Sequence, residues 1–367
     1  MIRYCQGCGA ELQTTDPDKK GFVPNIDSKA DKIYCKRCFR LNNYNEMPKI
    51  LATNAEYEKV VDDLLKKNGL IILIVDLFDF TGTFIPKILD KLRNKNVILV
   101  ANKLDLLPKS VKVEHIVDWL SQMANRMFFR LDAIHVVSSK KGYYIDDLMN
   151  TIDFARKDRD VYFMGCANVG KSSLINALIK RFTKEVNDVI STSPIPGTTL
   201  SSIKIPFFVE DNKAFIDTPG LINENNVLSH LLPVSFSKIL PKNEIKPITY
   251  QIKPGNMVFI SGLASVSLLE GENVSFTCYF SENLVIHRRK MDSADDFLAR
   301  HAGELLTPPT KEEFEKLEYD EFEYEISKKK KEDIVISGLG FIAINKPCKI
   351  KVKVIKNTDV LKRAAII

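Results

Sequence analysis

The stretch Gly165-Cys-Ala-Asn-Val-Gly170-Lys171-Ser172 constrains this chain more than any other feature. It follows an apolar run, Asp160–Met164, and opens a helical pattern from about Lys171 to Lys180. A glycine-rich turn between strand and helix lets backbone N–H groups close around phosphates, and the helix N-terminus adds partial positive charge. In that setting Lys171 reaches the β- and γ-phosphates and the Ser172 hydroxyl ligates Mg²⁺. A chance turn is the competing reading, and the strand and helix on either side weigh against it.

The surrounding pattern suits such a turn. Leu70–Asp76 is a continuous apolar run, as a strand buried on both faces requires. Val97–Ala101, Ile134–Ser138 and Asp160–Met164 repeat it, and helices are expected over Ile85–Asn94, Val111–Phe129 and Tyr144–Lys157. Ile203–Val209 and Lys213–Asp217 add two strands. The alternation predicts an α/β fold built on a mainly parallel six-stranded sheet. The 367 residues are 45% apolar and 27% charged, which excludes pervasive disorder and a collagen-like scaffold. Leu70–Val75, the longest aliphatic run, is far short of the ~20 residues of a membrane helix. Met1–Cys5 starts no apolar signal region. A cytoplasmic protein with no membrane partner is expected.

Three more motifs fall at strand ends. In Asp217-Thr-Pro-Gly220, Asp217 can hold the Mg²⁺ water shell and the Gly220 N–H can sense a γ-phosphate. Asn102-Lys103-Leu104-Asp105 ends the Val97–Ala101 strand. A carboxylate there accepts guanine N1–H and N2–H₂ together, a pair adenine does not offer. Sites built on such bonds reject the wrong base by about 10⁴-fold. Ser138-Ser139-Lys140 ends the next strand, where its backbone can meet the guanine O6. Each motif alone is a common polar turn. Together they make up the phosphate, magnesium and base elements of a GTP site.

With these residues, about 60–222 resembles the translation-factor-like GTPases, but in a different order. Ordinary members run phosphate loop, switch threonine, D-T-P-G, N-K-x-D, S-A-K; here N-K-L-D and S-S-K come first. The chain therefore looks like a circularly permuted GTPase, and permutation is physically mild when the original termini lie close together. Upstream, Cys5-x-x-Cys8 and Cys35-x-x-Cys38 supply four soft ligands for a closed tetrahedral Zn²⁺, and cytosolic thiols or a redox pair are the alternatives. Residues 1–50 hold nine Lys/Arg against six Asp/Glu, which suits a nucleic-acid surface.

With that start the chain is similar to the YqeH-like circularly permuted GTPases, a family of factors for small-subunit ribosome assembly. The resemblance implies a zinc finger (1–50), a permuted P-loop GTPase domain (55–222) and a β-rich C-terminal domain (223–367) that binds RNA. It implies GTP/GDP, Mg²⁺ and Zn²⁺, and the small (30S) ribosomal subunit and its rRNA as partners; the sequence leaves the oligomeric state open, with a monomer favoured. Nucleotide contacts then fall to Gly165, Asn168, Val169, Gly170, Lys171, Ser172 and Ser173. Asn102, Lys103, Asp105, Ser138, Ser139, Lys140, Asp217 and Gly220 complete the set. Magnesium goes to Ser172, Asp217 and Thr199 of Pro196-Gly-Thr-Thr199, with Thr198 as the alternative. Leu221 stands where many GTPases orient water with glutamine, so intrinsic hydrolysis is expected to be slow. By resemblance Asn168 helps hold K⁺ beside the phosphates, and Lys171, Asn168 and Thr199 carry catalysis. A nucleotide-gated RNA-binding scaffold with negligible turnover stays open as the alternative.

Beyond residue 222 the pattern is less clear. Lys349-Ile-Lys351-Val-Lys353-Val puts three lysines on one strand face, either tracking phosphates or guarding a sheet edge. Residues 311–325 carry eight acids and two lysines, as a solvated helix or a partner to that stripe. Ile-Ser-Gly-Leu occurs at 260–263 and again at 336–339, through duplication of a hairpin or by coincidence. Because the chain enters this block soon after Leu221, γ-phosphate contacts at Gly220 are expected to act on it directly.

Overall fold

The computed structural model describes residues 11–16, 21–23, 54–182, 193–194, 203–208, 212–327 and 331–367. In chain order the first elements are α1 (Asn54–Leu65), β1 (Gly69–Asp76), α2 (Pro86–Leu92), β2 (Val97–Asn102), α3 (Val113–Arg126) and β3 (Ala133–Val136). They continue with α4 (Ile145–Arg156), β4 (Asp160–Gly165), α5 (Lys171–Phe182), β5 (Ser193–Pro194), β6 (Ile203–Phe208) and β7 (Lys213–Asp217). The helices expected over Ile85–Asn94, Val111–Phe129 and Tyr144–Lys157 form but stop early, while α5 runs to Phe182, past the expected Lys180. Phe128 and Lys157 have positive φ (52° and 51°), which does not continue a right-handed helix.

Two compact units emerge. One takes Met1–Ile74, Lys87–Asn102 and Phe129–Ile222, and the other takes Val75–Pro86, Lys103–Phe128 and Asn223–Ile367. The first unit is built on a sheet of order β3-β2-β1-β4-β7-β6-β5. Strands β1, β2 and β4 are buried almost throughout, as their unbroken aliphatic runs demand. Pairs β2–β3, β1–β4 and β4–β7 are parallel. The expectation of six mainly parallel strands needs correcting: among the described residues there are seven, and at one edge β6 pairs antiparallel with both β7 and β5. Parallel neighbours need a crossover of a dozen or more residues. The connection from Phe208 to Lys213 is too short for one, so β6 and β7 pair antiparallel.

The second unit holds two five-stranded antiparallel sheets. Its strands are β8 (Ile248–Ile252), β9 (Asn256–Ile260), β10 (Ala264–Gly271), β11 (Val274–Phe280) and β12 (Ile286–Lys290), then β13 (Tyr319–Ile326), β14 (Glu332–Ile336), β15 (Gly340–Ile344), β16 (Cys348–Ile355) and β17 (Val360–Ala364). One sheet has the order β12-β9-β10-β16-β13 and the other β17-β14-β15-β11-β8. Exchanging β8–β12 with β13–β17, in order, converts one sheet into the other. The two halves are therefore topological copies, each lending strands to the other's sheet. The repeated Ile-Ser-Gly-Leu strings are the matching turns, β9 to β10 and β14 to β15. Each is closed by the same bond, Leu263 N–H to Ile260 C=O at 3.1 Å and Leu339 N–H to Ile336 C=O at 3.0 Å. Duplication, not coincidence, accounts for the repeat.

The lysine stripe differs from both readings of it. Strand β16 is interior, flanked by β10 and β13, so it guards no edge. Its lysines are already paired: Lys349 with Glu323 at 2.8 Å, Lys351 with Glu321 at 3.0 Å and Lys353 with Asp295 at 2.7 Å. Acidic β13, aligned residue by residue with β16, supplies two of the three partners. Such exposed pairs add little stability; their effect is to cancel the stripe's charge. Helix α6 (Ala294–His301), which carries Asp295, lies on this same face of the sheet, with Phe297 and Leu298 against Met257 and Phe259 of β9.

The mid-chain stretches of this unit are tied into its C-terminal strands. The Trp119 indole N–H of α3 donates to the Ala364 carbonyl at 3.0 Å. Phe80 packs edge-on against Trp119, and Phe78 packs against Phe341. The buried Arg363 guanidinium lies over both the Trp119 and Phe341 rings and donates to Asp333 at 3.3 Å.

Candidate nucleotide site

The Gly165–Ser172 turn joins β4 to α5 as the motif requires. Asn168 and Gly170 both have positive φ, 63° and 90°. At Gly170 a Cβ would lie 2.4 Å from the Asn102 Nδ2, so only glycine fits. Lys171 is the first residue of α5 and its ammonium is folded over the turn, donating to the Gly165 and Cys166 carbonyls at 3.2 and 3.0 Å. The first turn of α5 carries no acidic side chain, which leaves its amides and dipole to an anion. Ser172 and Ser173 are exposed on that turn.

The Ser172 hydroxyl donates to Asp217 Oδ2 at 2.8 Å, across 45 positions of sequence. The other oxygen, Asp217 Oδ1, is buried without a partner among the described residues. A hydroxyl beside a carboxylate with an unsatisfied oxygen is a hard donor set that fits Mg²⁺. Burial pushes the Asp217 carboxyl above its ordinary value, opposed by Lys171 and by the Ser172 bond. Burial likewise pushes the Lys171 ammonium down, opposed by Asp217. Each group thus stabilises the other's charge in a site that penalises both.

The chain after Asp217 stays beside the turn. The Ala167 N–H donates to the Leu221 carbonyl at 2.7 Å, and the Leu221 N–H to that of Gly165 at 3.3 Å. The Leu221 side chain is buried. Asn168 Nδ2 is also buried with no partner among the described residues. That nitrogen is a donor and calls for an acceptor; only the amide oxygen of the same side chain could face a cation.

Two of the base motifs converge on the turn. Asn102 Nδ2 donates to the Val169 carbonyl at 2.9 Å and to the Ser139 hydroxyl at 3.1 Å, and the Ser139 N–H donates back to Asn102 Oδ1 at 3.0 Å. Ser138 is fully buried and closes the turn that carries the exposed Lys140: the Lys141 N–H donates to its hydroxyl and the Gly142 N–H to its carbonyl. Directly after Asn102, Lys103 (φ 70°) starts the short helical turn Leu104–Leu106 that bears Asp105.

Two carboxylates of the second unit lie at the end of β1 and just past it, Asp76 and Asp79. Asp76 grips the Lys103 ammonium at 2.5 Å. Asp79 accepts from the Gly338 N–H at 3.0 Å and from Asn226 Nδ2 at 3.1 Å. Burial, reinforced by Asp76, pushes the Asp79 carboxyl up to about 7. Their only sequence signal was position just past a strand end. Thr199, its alternative Thr198, and Cys5, Cys8, Cys35 and Cys38 lie outside the described residues. Among the described residues no cluster of His, Cys, Asp and Glu is arranged to hold a metal, and no helix is long and apolar enough to cross a membrane.

Comparison with known proteins agrees with the site. A family described as 50S ribosome-binding GTPase matches residues 160–245, which contain the phosphate turn and Asp217–Gly220. A second, described as the YqeH-like C-terminal domain, matches residues 273–366. The chain is 38% identical over 347 residues to the uncharacterized protein YqeH of Bacillus subtilis, covering 93% of this chain and 92% of that one. It is 30% identical over 394 residues to NO-associated protein 1, chloroplastic/mitochondrial, of Arabidopsis thaliana, covering 94% and 70%. GTPase Der of Aquifex aeolicus matches at 30% over 187 residues, 47% of this chain and 39% of its own. Motifs, sheet and relatives agree, and the chain belongs to the YqeH family of circularly permuted GTPases.

Proposed function

We propose that the protein is a GTP-driven switch that assists assembly of the small ribosomal subunit through contact with rRNA. The observation that carries the GTP reading furthest is the Asn102 amide, which bonds at once to the phosphate turn and to Ser139. That pair of bonds supports a shared site for the base and phosphate motifs despite their reversed order in the chain. In this reading Asp105 selects guanine, with Asn102, Ser138, Ser139 and Lys140 around the base and Lys103 beside it. The turn from Gly165 through Ser173, with Asn168, Val169 and Gly170, holds the phosphates. Ser172, Asp217 and Thr199 hold Mg²⁺, which draws charge from the phosphates, and Gly220 reads the γ-phosphate. Lys171, Asn168 and Thr199 carry hydrolysis.

The buried Leu221 offers the attacking water no hydrogen bond, which favours a second reading, a gated scaffold that hardly turns over. Asn168 separates the two. Turnover is expected to be several-fold faster in K⁺ than in Na⁺, and faster again with small subunits, which the GTP-analogue form should co-sediment. Equal rates in both salts with no response to subunits would favour the scaffold. Co-sedimentation with large subunits alone would overturn the small-subunit assignment.

The zinc assignment rests on spacing in the sequence. Metal analysis of the purified full chain is expected to give one zinc per chain, lost when Cys35 and Cys38 are replaced by serine. A zinc-free protein of unchanged stability would sink it.

A further inference from the structure

The two matching turns of the duplicated C-terminal unit are used differently. In the first, the Gly262 N–H donates to the Pro308 carbonyl at 3.0 Å and the Ser261 hydroxyl to that of Thr307 at 3.1 Å, both within the block. In the second, the equivalent Gly338 N–H donates to Asp79, and the equivalent Ser337 hydroxyl accepts from Asn223 Nδ2 at 3.4 Å. The positions that the first turn satisfies locally are, in the second, given to Asp79 and to a segment that follows Leu221 by two residues.

That segment is bound along its length. Asn223 Nδ2 donates also to the Gly82 carbonyl at 3.0 Å. The Asp359 N–H donates to the Asn225 carbonyl at 2.9 Å, and the Val227 N–H to that of Ser337 at 3.0 Å. Asn226 caps the turn Val227–His230 and reaches Asp79 with the same side chain. The fit is tight: Gly338 has φ 77°, and a Cβ there would fall 1.9 Å from Asn226 Oδ1. Asp79 shares its loop with Asp76, the residue that grips Lys103 of the base motif.

We infer that Asn223, Asn226 and Asp79 are positioning residues that transmit the γ-phosphate state of Gly220 to the C-terminal unit, and that the Ile336–Gly340 turn is where that unit receives it. The inference rests on the proposal that Gly220 reads the γ-phosphate. Movement at Gly220 reaches Asn223 through two intervening residues, and Asn223 is bonded to both the Asp79 loop and the receiving turn. The first turn, with no such link, is a built-in control.

Hydrogen–deuterium exchange of the full chain with GDP and with a non-hydrolysable GTP analogue tests this, once both are shown to bind. Amides of residues 331–345 are expected to exchange at rates differing several-fold between the two nucleotides, while those of residues 256–266 stay the same. Asn226→Ala, and separately Asn223→Ala, should erase the difference and leave GDP affinity intact. A structural role alone would raise exchange equally with both nucleotides. No nucleotide-dependent difference in the wild type, or a difference that survives both substitutions, would overturn the relay and leave the GTPase reading standing. Failure of either nucleotide to bind would instead strike the underlying reading.

Discussion

Lys171→Met is expected to lower GTP turnover by about 10²–10³-fold, the loss seen when one preorganised electrostatic contact is removed from a transition state. Methionine keeps the volume and loses the charge. Among the described residues the ammonium donates to the Gly165 and Cys166 carbonyls, and burial already opposes its charge. The melting temperature of the nucleotide-free variant should fall only modestly, because Asp217 loses the Lys171 charge that opposes its burial but keeps its Ser172 bond. Steady-state phosphate release and thermal melts, read together, decide the matter. Undiminished turnover would remove Lys171 from the chemistry, and a collapse in stability would make its role structural.

Asp105→Asn should change which base is accepted. The carboxylate pairs with two guanine donors; an asparagine presents one acceptor and one donor, which suits xanthine, where a carbonyl replaces the amino group. Affinity for GDP is expected to fall by about 10⁴-fold, with xanthosine diphosphate becoming the preferred ligand. The backbone that places Asp105 is held independently of its side chain, by the Leu106 N–H on the Lys103 carbonyl at 3.0 Å and the Leu107 N–H on that of Leu104 at 3.1 Å. Competition calorimetry with the two diphosphates measures the outcome. A variant that still prefers GDP would place base selection elsewhere.

What could be read from the sequence follows from how local each signal is. Strands β1, β2 and β4 announce themselves because burial on both faces demands unbroken aliphatic runs. The phosphate turn is equally plain, since its glycines, lysine and serine are contiguous. The antiparallel edge was missed because strand direction depends on connection length and pairing, which composition does not encode. The stripe Lys349–Lys353 looked available for phosphate because its neutralising carboxylates, Glu321, Glu323 and Asp295, sit on other elements. Asp76 and Asp79 gave no sign of their partners for the same reason: Gly338 lies 259 positions from Asp79.

The last strands of the chain cover aromatic residues encoded in its first third. Phe78 meets Phe341, and Trp119 meets Arg363 and Ala364. A fragment ended after Ile222 would strip Phe78 and Trp119 of these partners, and is expected to report aggregation rather than the behaviour of an autonomous nucleotide-binding module. The same dependence holds during translation. A nascent polypeptide cannot seat the Asp79 loop until the hairpin around Gly338 has left the exit tunnel, so the loop that steadies Lys103 is completed only after some 259 further residues have been made.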